Sequence, residues 1–129
     1  MHRCVAFVAV LATLSGLCAP ALAQMQRLFP ANALRGELRI AQPPEALLNG
    51  QPARLAPGAR LRGVDNMLVL SGALQGQTLV VNYTLDTQGG VLDVWLLSPL
   101  ERARQPWPGT AAQAQAWFFN ADAQTWSRP

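Results

Sequence analysis

Residues 77–97 read Gln77-Thr78-Leu79-Val80-Val81-Asn82-Tyr83-Thr84-Leu85-Asp86-Thr87-Gln88-Gly89-Gly90-Val91-Leu92-Asp93-Val94-Trp95-Leu96-Leu97. Two runs rich in β-branched and aromatic residues flank a polar, glycine-bearing turn, which is the pattern of a β-hairpin. In the first run Leu79, Val81 and Tyr83 oppose Val80, Asn82 and Thr84, the period of two that a strand imposes. This hairpin sets the fold class, because what lies before it in the body of the chain repeats the same strand-and-turn rhythm.

Toward the N-terminus, Leu34 to Ala41 alternates Leu34, Leu38 and Ile40 with Arg35, Glu37 and Arg39, predicting a half-buried strand. Pro43-Pro44 ends it. Asn49-Gly50 then sits between two short apolar runs, the strongest local signal for a tight hairpin turn, and Pro52 confines the returning strand to an edge or a late start. Pro57-Gly58 predicts a further turn, followed by the alternating Ala59-Arg60-Leu61-Arg62. Met67-Leu68-Val69-Leu70 is continuously apolar, and such a run predicts a central strand covered on both faces.

On the C-terminal side, Ser98-Pro99-Leu100-Glu101 carries a capping serine, a proline at the first helical position and a glutamate that can reach back to complete a capping box. It predicts one short helix, stopped by Pro106 and Pro108. Thr110 with Gln113 is a weaker form of the same signal before one or two helical turns in Ala111 to Ala116. Trp117-Phe118-Phe119, then Asn120 to Ala123, then Gln124-Thr125-Trp126 predicts a last hairpin. The expected fold is all-β, a small barrel or sandwich of about six to eight strands with one short C-terminal helix.

The first residues carry a different signal. Met1-His2-Arg3 is positive, Val5 to Leu17 is apolar, and Pro20-Ala21-Leu22-Ala23 precedes Gln24 with small residues where signal peptidase reads. The apolar run is shorter than the roughly 20 residues that cross a bilayer. The expectation is a secretory signal peptide over 1–23, an extended arm over 24–33 and a single β-rich domain over 34–129. Leu14-Ser15-Gly16 resembles a lipoprotein box, but Leu17 stands where the box needs its cysteine, so lipidation is disfavoured. The expected location is periplasmic or secreted, with no membrane span once the signal is removed.

Cleavage after Ala23 would also remove Cys4, Cys18 and His2, leaving a chain without Cys, His or Lys. That excludes most chemistry by which proteins hold zinc, activate a nucleophile or move protons near neutral pH. No metal, cofactor or catalytic residue is expected. All ten basic residues are Arg, against seven acidic ones. Arg27, Arg35, Arg39, Arg54, Arg60 and Arg62 face only Glu37 and Glu45 in the first half of this segment. An arginine-bearing strand face made of Arg35, Arg39, Arg60 and Arg62 is a candidate for an anionic ligand. The aromatics lie elsewhere in the chain, so nucleic acid is not expected as a partner.

Trp95, Trp107, Trp117 and Trp126 all fall in the last third. They supply the buried area that a small disulfide-free domain needs, and that reading leads. A stacking surface for a glycan or an envelope protein is the competing one, and Trp107 and Trp126, set among Pro, Gly and polar residues, are the two expected at the surface. Two carboxylates from Asp65, Asp86, Asp93 and Glu101 offer one residual catalytic route, glycoside hydrolysis. The expected function is a non-catalytic binding or envelope-assembly module. A small carbohydrate-active enzyme and a structural protein that pairs through an open edge strand are the alternatives.

Leu48-Asn49-Gly50-Gln51-Pro52-Ala53-Arg54-Leu55, Pro57 to Gly63, Asp65-Asn66-Met67-Leu68-Val69, Arg104 to Pro108 and Trp117 to Pro129 together resemble a group of small uncharacterised exported proteins of Gram-negative bacteria. The resemblance implies a signal-bearing single domain and carries over no functional residue.

Overall fold

A computed structural model describes residues 26–129. The signal sequence expected over 1–23 lies outside the described residues. Eight strands form in chain order: β1 (Leu34–Ile40), β2 (Glu45–Leu48), β3 (Gln51–Arg62), β4 (Leu68–Val69), β5 (Thr78–Leu85), β6 (Val91–Leu96), β7 (Phe118–Asn120) and β8 (Thr125–Ser127). A 3₁₀ turn at Ser71–Leu74 precedes β5, and two short helices, α1 (Pro99–Arg102) and α2 (Ala111–Ala116), separate β6 from β7. The fold is strand-rich, as its alternation predicts.

Five strands close a barrel in the order β1-β2-β3-β6-β5, with β5 returning to β1. All contacts in the ring are antiparallel except β3 with β6, which run parallel. Leu38, Ile40, Leu55, Leu61, Val81, Tyr83, Val91 and Val94 fill the interior, and Leu74 of the 3₁₀ turn joins them. Asn49 and Gly50 turn β2 into β3 with φ of 53° and 79°. Both values are positive, as the primed hairpin turn requires.

Two elements depart from their sequence signals. Pro57-Gly58 is not a turn between strands but a corner inside the single long strand β3. Leu55 and Ala56 are buried in succession, the register with β6 shifts between Leu55 and Arg60, and Gly58 has φ 77°. A strand that leaves β2 and joins β6 must bend sharply, and a residue without an N–H followed by one free to adopt positive φ supplies the bend. The second departure is Met67 to Leu70. Instead of a central strand it forms the short outer strand β4, paired only with Leu61 and Arg62 of β3. Met67, Leu68 and Leu70 stand 68%, 69% and 82% exposed.

The outside of β5 and β6 is also covered. Phe29 and Ala33 of the N-terminal arm, Leu97, Trp107 and Trp126 form a second buried cluster, with Val80, Trp95, Ala114, Trp117 and Phe119 packed against it. Phe119 stacks on Trp126 at 4.6 Å, and Trp107 meets Phe29 and Trp126 edge-on at 5.8 and 6.1 Å. The arm and the last hairpin are tied together at Gln124, whose Oε1 accepts the Phe29 N–H at 2.8 Å. The molecule is therefore a barrel with an aromatic layer wrapped over one side. No helix among the described residues is long and apolar enough to cross a membrane.

Candidate functional site

Trp107 and Trp126 are buried, 8% and 6% exposed, which corrects the expectation that they are the surface pair. The segment around Trp107 reads as a loop because of Pro106, Pro108 and Gly109, but it folds onto the outer face of β1 and β5. The Trp107 indole donates to the Ala33 carbonyl at 3.0 Å, and the Arg35 guanidinium lies 4.8 Å over its ring.

Arg35 is a structural hub. Its Nε donates to Asn82 Oδ1 at 3.2 Å, while Nη1 and Nη2 donate to the carbonyls of Arg104 and Glu101 at 2.6 and 3.0 Å. The Glu101 carbonyl lies in the last turn of α1 and the Arg104 carbonyl just beyond it, so the guanidinium sits at the carbonyl end of the helix, where a cation is favourable. Burial lowers the Arg35 pKa to about 10; Glu101 opposes that shift and Arg104 adds to it. Asn82, within a glycosylation-like Asn-Tyr-Thr triplet, is wholly buried beneath this guanidinium.

Arg35, Trp107 and Trp126 share a shallow groove of about 610 Å³ with Gln105, Pro106, Ser127 and Arg128. Three of the sequence-selected residues thus come together. Arg39 and Arg60 do not join them: Arg39 bonds Thr78 Oγ1 at 3.4 Å, and Arg60 pairs with Asp93 at 3.1 Å. Arg62, 3.8 Å from the same Asp93, lines a second groove. The four arginines form no continuous face, because β1 and β3 are not neighbours in the barrel, Arg35 and Arg39 have separate partners on β1's side, and Arg60 and Arg62 share Asp93.

The second groove is larger, about 1290 Å³, and lies between the N-terminal arm, the turn after β3, β6 and α1. Leu28, Val64 and Leu100 stand exposed around it, beside Trp95, Arg62, Asp65 and Arg104. At its base Arg27 makes a two-pronged contact with Glu101, Nε to Oε2 at 2.9 Å and Nη2 to Oε1 at 2.5 Å. Arg27 also donates to the carbonyls of Gly63 and Leu96 at 2.9 and 2.6 Å. Ser98 and Glu101 complete the capping box that their spacing predicts. Burial alone would raise the Glu101 carboxyl, but the Arg27 and Ser98 hydrogen bonds and the Arg27 charge outweigh it and hold it below its usual value.

Arg104 is different from its neighbours. Its Nη1 is sealed from solvent and has no acceptor among the described residues, and the Trp126 Nε1 is in the same position. No local sequence pattern marks Arg27, its pairing with Glu101, or Arg104. Arg27 pairs across 74 residues of chain, a separation that no local pattern encodes.

The other candidate carboxylates, Asp65, Asp86 and Asp93, are occupied locally. Asp86 Oδ1 accepts the N–H groups of Gln88 and Gly90 at 2.9 and 2.7 Å, and Asp65 Oδ1 accepts that of Met67 at 3.1 Å. Asp93 is shared by Arg60, Arg62 and Thr84. No group of three His, Cys, Asp or Glu gathers in a metal-holding arrangement among the described residues. No protein-family model, no curated protein and no solved structure matches the chain.

Proposed function

We propose that the protein is a non-catalytic, exported binding or envelope-assembly module that seats its ligand or partner in the groove between the N-terminal arm and α1. The observation that carries this reading is the lining of that groove: exposed Leu28, Val64 and Leu100 beside Arg62 and Arg104. An apolar surface with a few convergent charges suits an anionic, partly apolar ligand. The strand order, with its single parallel closure, is that of small five-stranded Greek-key barrels that bind oligonucleotides or oligosaccharides on the β2–β3 face. Here β2 and β3 contain no aromatic residue to stack a base or a sugar. That directs the reading to the groove instead.

The carbohydrate-active alternative has less support. Asp65 and Glu101 do share the groove, but a general acid needs a raised pKa and Glu101 is held the other way by Arg27. Export rests on the N-terminal pattern.

The test starts from the full chain expressed in a Gram-negative host, with the mass of the envelope product showing whether cleavage follows Ala23. Anilinonaphthalene sulfonate, an anionic amphiphile, is expected to bind the folded product, and Leu100→Asp or Arg104→Glu to weaken that binding at least tenfold. Cell-wall glycan should remain uncut. Glycan cleavage abolished by Asp65→Asn or Glu101→Gln, or probe binding untouched by both groove variants, overturns the reading.

A further inference from the structure

Nine arginines lie among the described residues, and four of them, Arg27, Arg54, Arg60 and Arg62, have a carboxylate partner. Three of the other five, Arg35, Arg104 and Arg128, gather about one place. Arg35 and Arg128 line the groove of about 610 Å³ beside Trp126, and the Arg104 charge is close enough to lower the Arg35 pKa. None of the residues lining this groove is acidic. Glu101 is the one carboxylate among the described residues whose charge bears on Arg35, and Arg27 already holds both of its oxygens. A cleft lined by one sign of charge concentrates the opposite sign from solution.

We infer that this groove, separate from the one between the arm and α1, binds a phosphate group, with Arg128 and Arg35 as its cationic donors. The way the two guanidiniums are held is the first reason. Each lies over a ring instead of an acid, Arg35 at 4.8 Å from Trp107 and Arg128 at 5.2 Å from Trp117. A ring engages the face of a guanidinium and leaves its in-plane N–H groups for an acceptor. Asn82 Oδ1 and the carbonyls of Arg102, Arg104 and Glu101 take four of the five Arg35 N–H groups, so one on Nη2 remains on a side chain that is already fixed. With its pKa at about 10, Arg35 is charged at neutral pH.

The balance of donors and acceptors is the second reason. The buried side-chain nitrogens without a partner among the described residues are Asn82 Nδ2, Arg104 Nη1 and Trp126 Nε1, and each belongs to a residue that lines this groove or bonds to Arg35. They are sealed and touch no ligand themselves. They mark a region where donors outnumber acceptors, and a group that only accepts is its complement. Ser127 and Gln105, both exposed, add a hydroxyl and an amide to the lining. These donors come from two separate elements, the loop after α1 and the end of β8. A carboxylate offers two oxygens in one plane, whereas a phosphate offers three that diverge and can be met from both sides. The groove holds more than the phosphate alone, which favours an ester over the free ion.

The full chain is expressed in a Gram-negative host, and the purified product is titrated by calorimetry at about 0.15 M ionic strength, which screens the loose attraction of a basic protein for anions. Glucose 6-phosphate is expected to saturate the site with a Kd of about 1 mM or tighter, and glucose and glucuronate to bind about tenfold more weakly or not at all. Inorganic phosphate is the arm that separates the two sources: the tighter of the two phosphates identifies ester or free ion. Arg128→Ala is expected to weaken phosphate binding about tenfold and Arg128→Glu to abolish it. Arg128 is exposed, so both variants keep the fold, as circular dichroism and melting will register, where substitution of the Arg35 hub would not. Arg54→Glu, an exposed charge reversal on β3, should leave binding unchanged. Failure of both phosphates to saturate, glucuronate binding as tightly as either, binding that survives Arg128→Glu, or an equal loss with Arg54→Glu overturns the inference.

Discussion

Gly36 shows how one position fixes the strand pairing around it. A β-carbon there would fall 2.8 Å from Asn49 Oδ1 and 3.1 Å from the Tyr83 ring, with Asn49 held in place by its bond to the Glu37 N–H. Gly36→Ala is therefore expected to destabilise the fold by about 1–3 kcal/mol, the usual cost of overpacking, in a urea titration. Trp107 and Trp126 differ in one polar contact. Trp107→Phe loses a 3.0 Å bond to the Ala33 carbonyl, whereas Trp126→Phe removes an N–H that has no acceptor among the described residues. The first substitution should cost more than the second, by about 1 kcal/mol or more. Glu101 adds a pH dependence. Its folded pKa lies below the ordinary glutamate value of 4.5, so its contribution is fully present above that value and is lost as pH falls through the lower, folded pKa. Glu101→Gln should lower stability at pH 7 by about 3 kcal/mol and flatten the acid limb of a pH-stability curve, since it breaks a buried pair. Melting at pH 7 and across pH 2 to 5 checks both.

Among the elements, β5, β6, the Asn49-Gly50 hairpin and the Ser98 cap are legible from sequence because each rests on neighbours within a few residues. The corner at Pro57-Gly58 is not, since the same dipeptide suits a turn or a bend and only the switch of partner from β2 to β6 decides between them. Met67 to Leu70 fails for a related reason: an apolar run signals cover, and here the described residues leave Met67, Leu68 and Leu70 exposed. The aromatic layer had a trace in the sequence. Val91 to Leu97 is apolar on both faces apart from Asp93, and a strand whose outer face carries Trp95 and Leu97 needs something over it. Arg35 was legible as a candidate but not as a hub, because its acceptors are carbonyls of a helix end brought near by the loop that follows. The importance of that loop is testable at the element scale. Trp126→Ala should cost about 3–5 kcal/mol, as a core aromatic does, although it lies in a three-residue strand at the rim. A cost under 1 kcal/mol would mean that the last hairpin packs loosely.

The whole molecule has two apolar clusters but only one way to hold them. β5 sends Val81 and Tyr83 into the barrel and Val80 toward the aromatic layer, and β6 with its continuation likewise sends Val91 and Val94 one way and Trp95 and Leu97 the other. Neither cluster can open without moving strands that the other needs. Arg27 and Gln124 strengthen the link, the first bonding the arm to α1, β6 and the turn after β3, the second bonding it to the last hairpin. Unfolding is thus expected to be a single cooperative transition. The placement of chromophores makes this measurable, because all four tryptophans belong to the outer layer and most of the strand signal comes from the barrel. Urea titrations followed by tryptophan fluorescence and by far-ultraviolet circular dichroism should coincide in midpoint and slope. Substituting Arg27→Ala, which cuts the arm from α1, should shift both curves together to lower urea. Fluorescence that changes at clearly lower urea than the dichroism would show the layer peeling from an intact barrel, and the two clusters would then be independent.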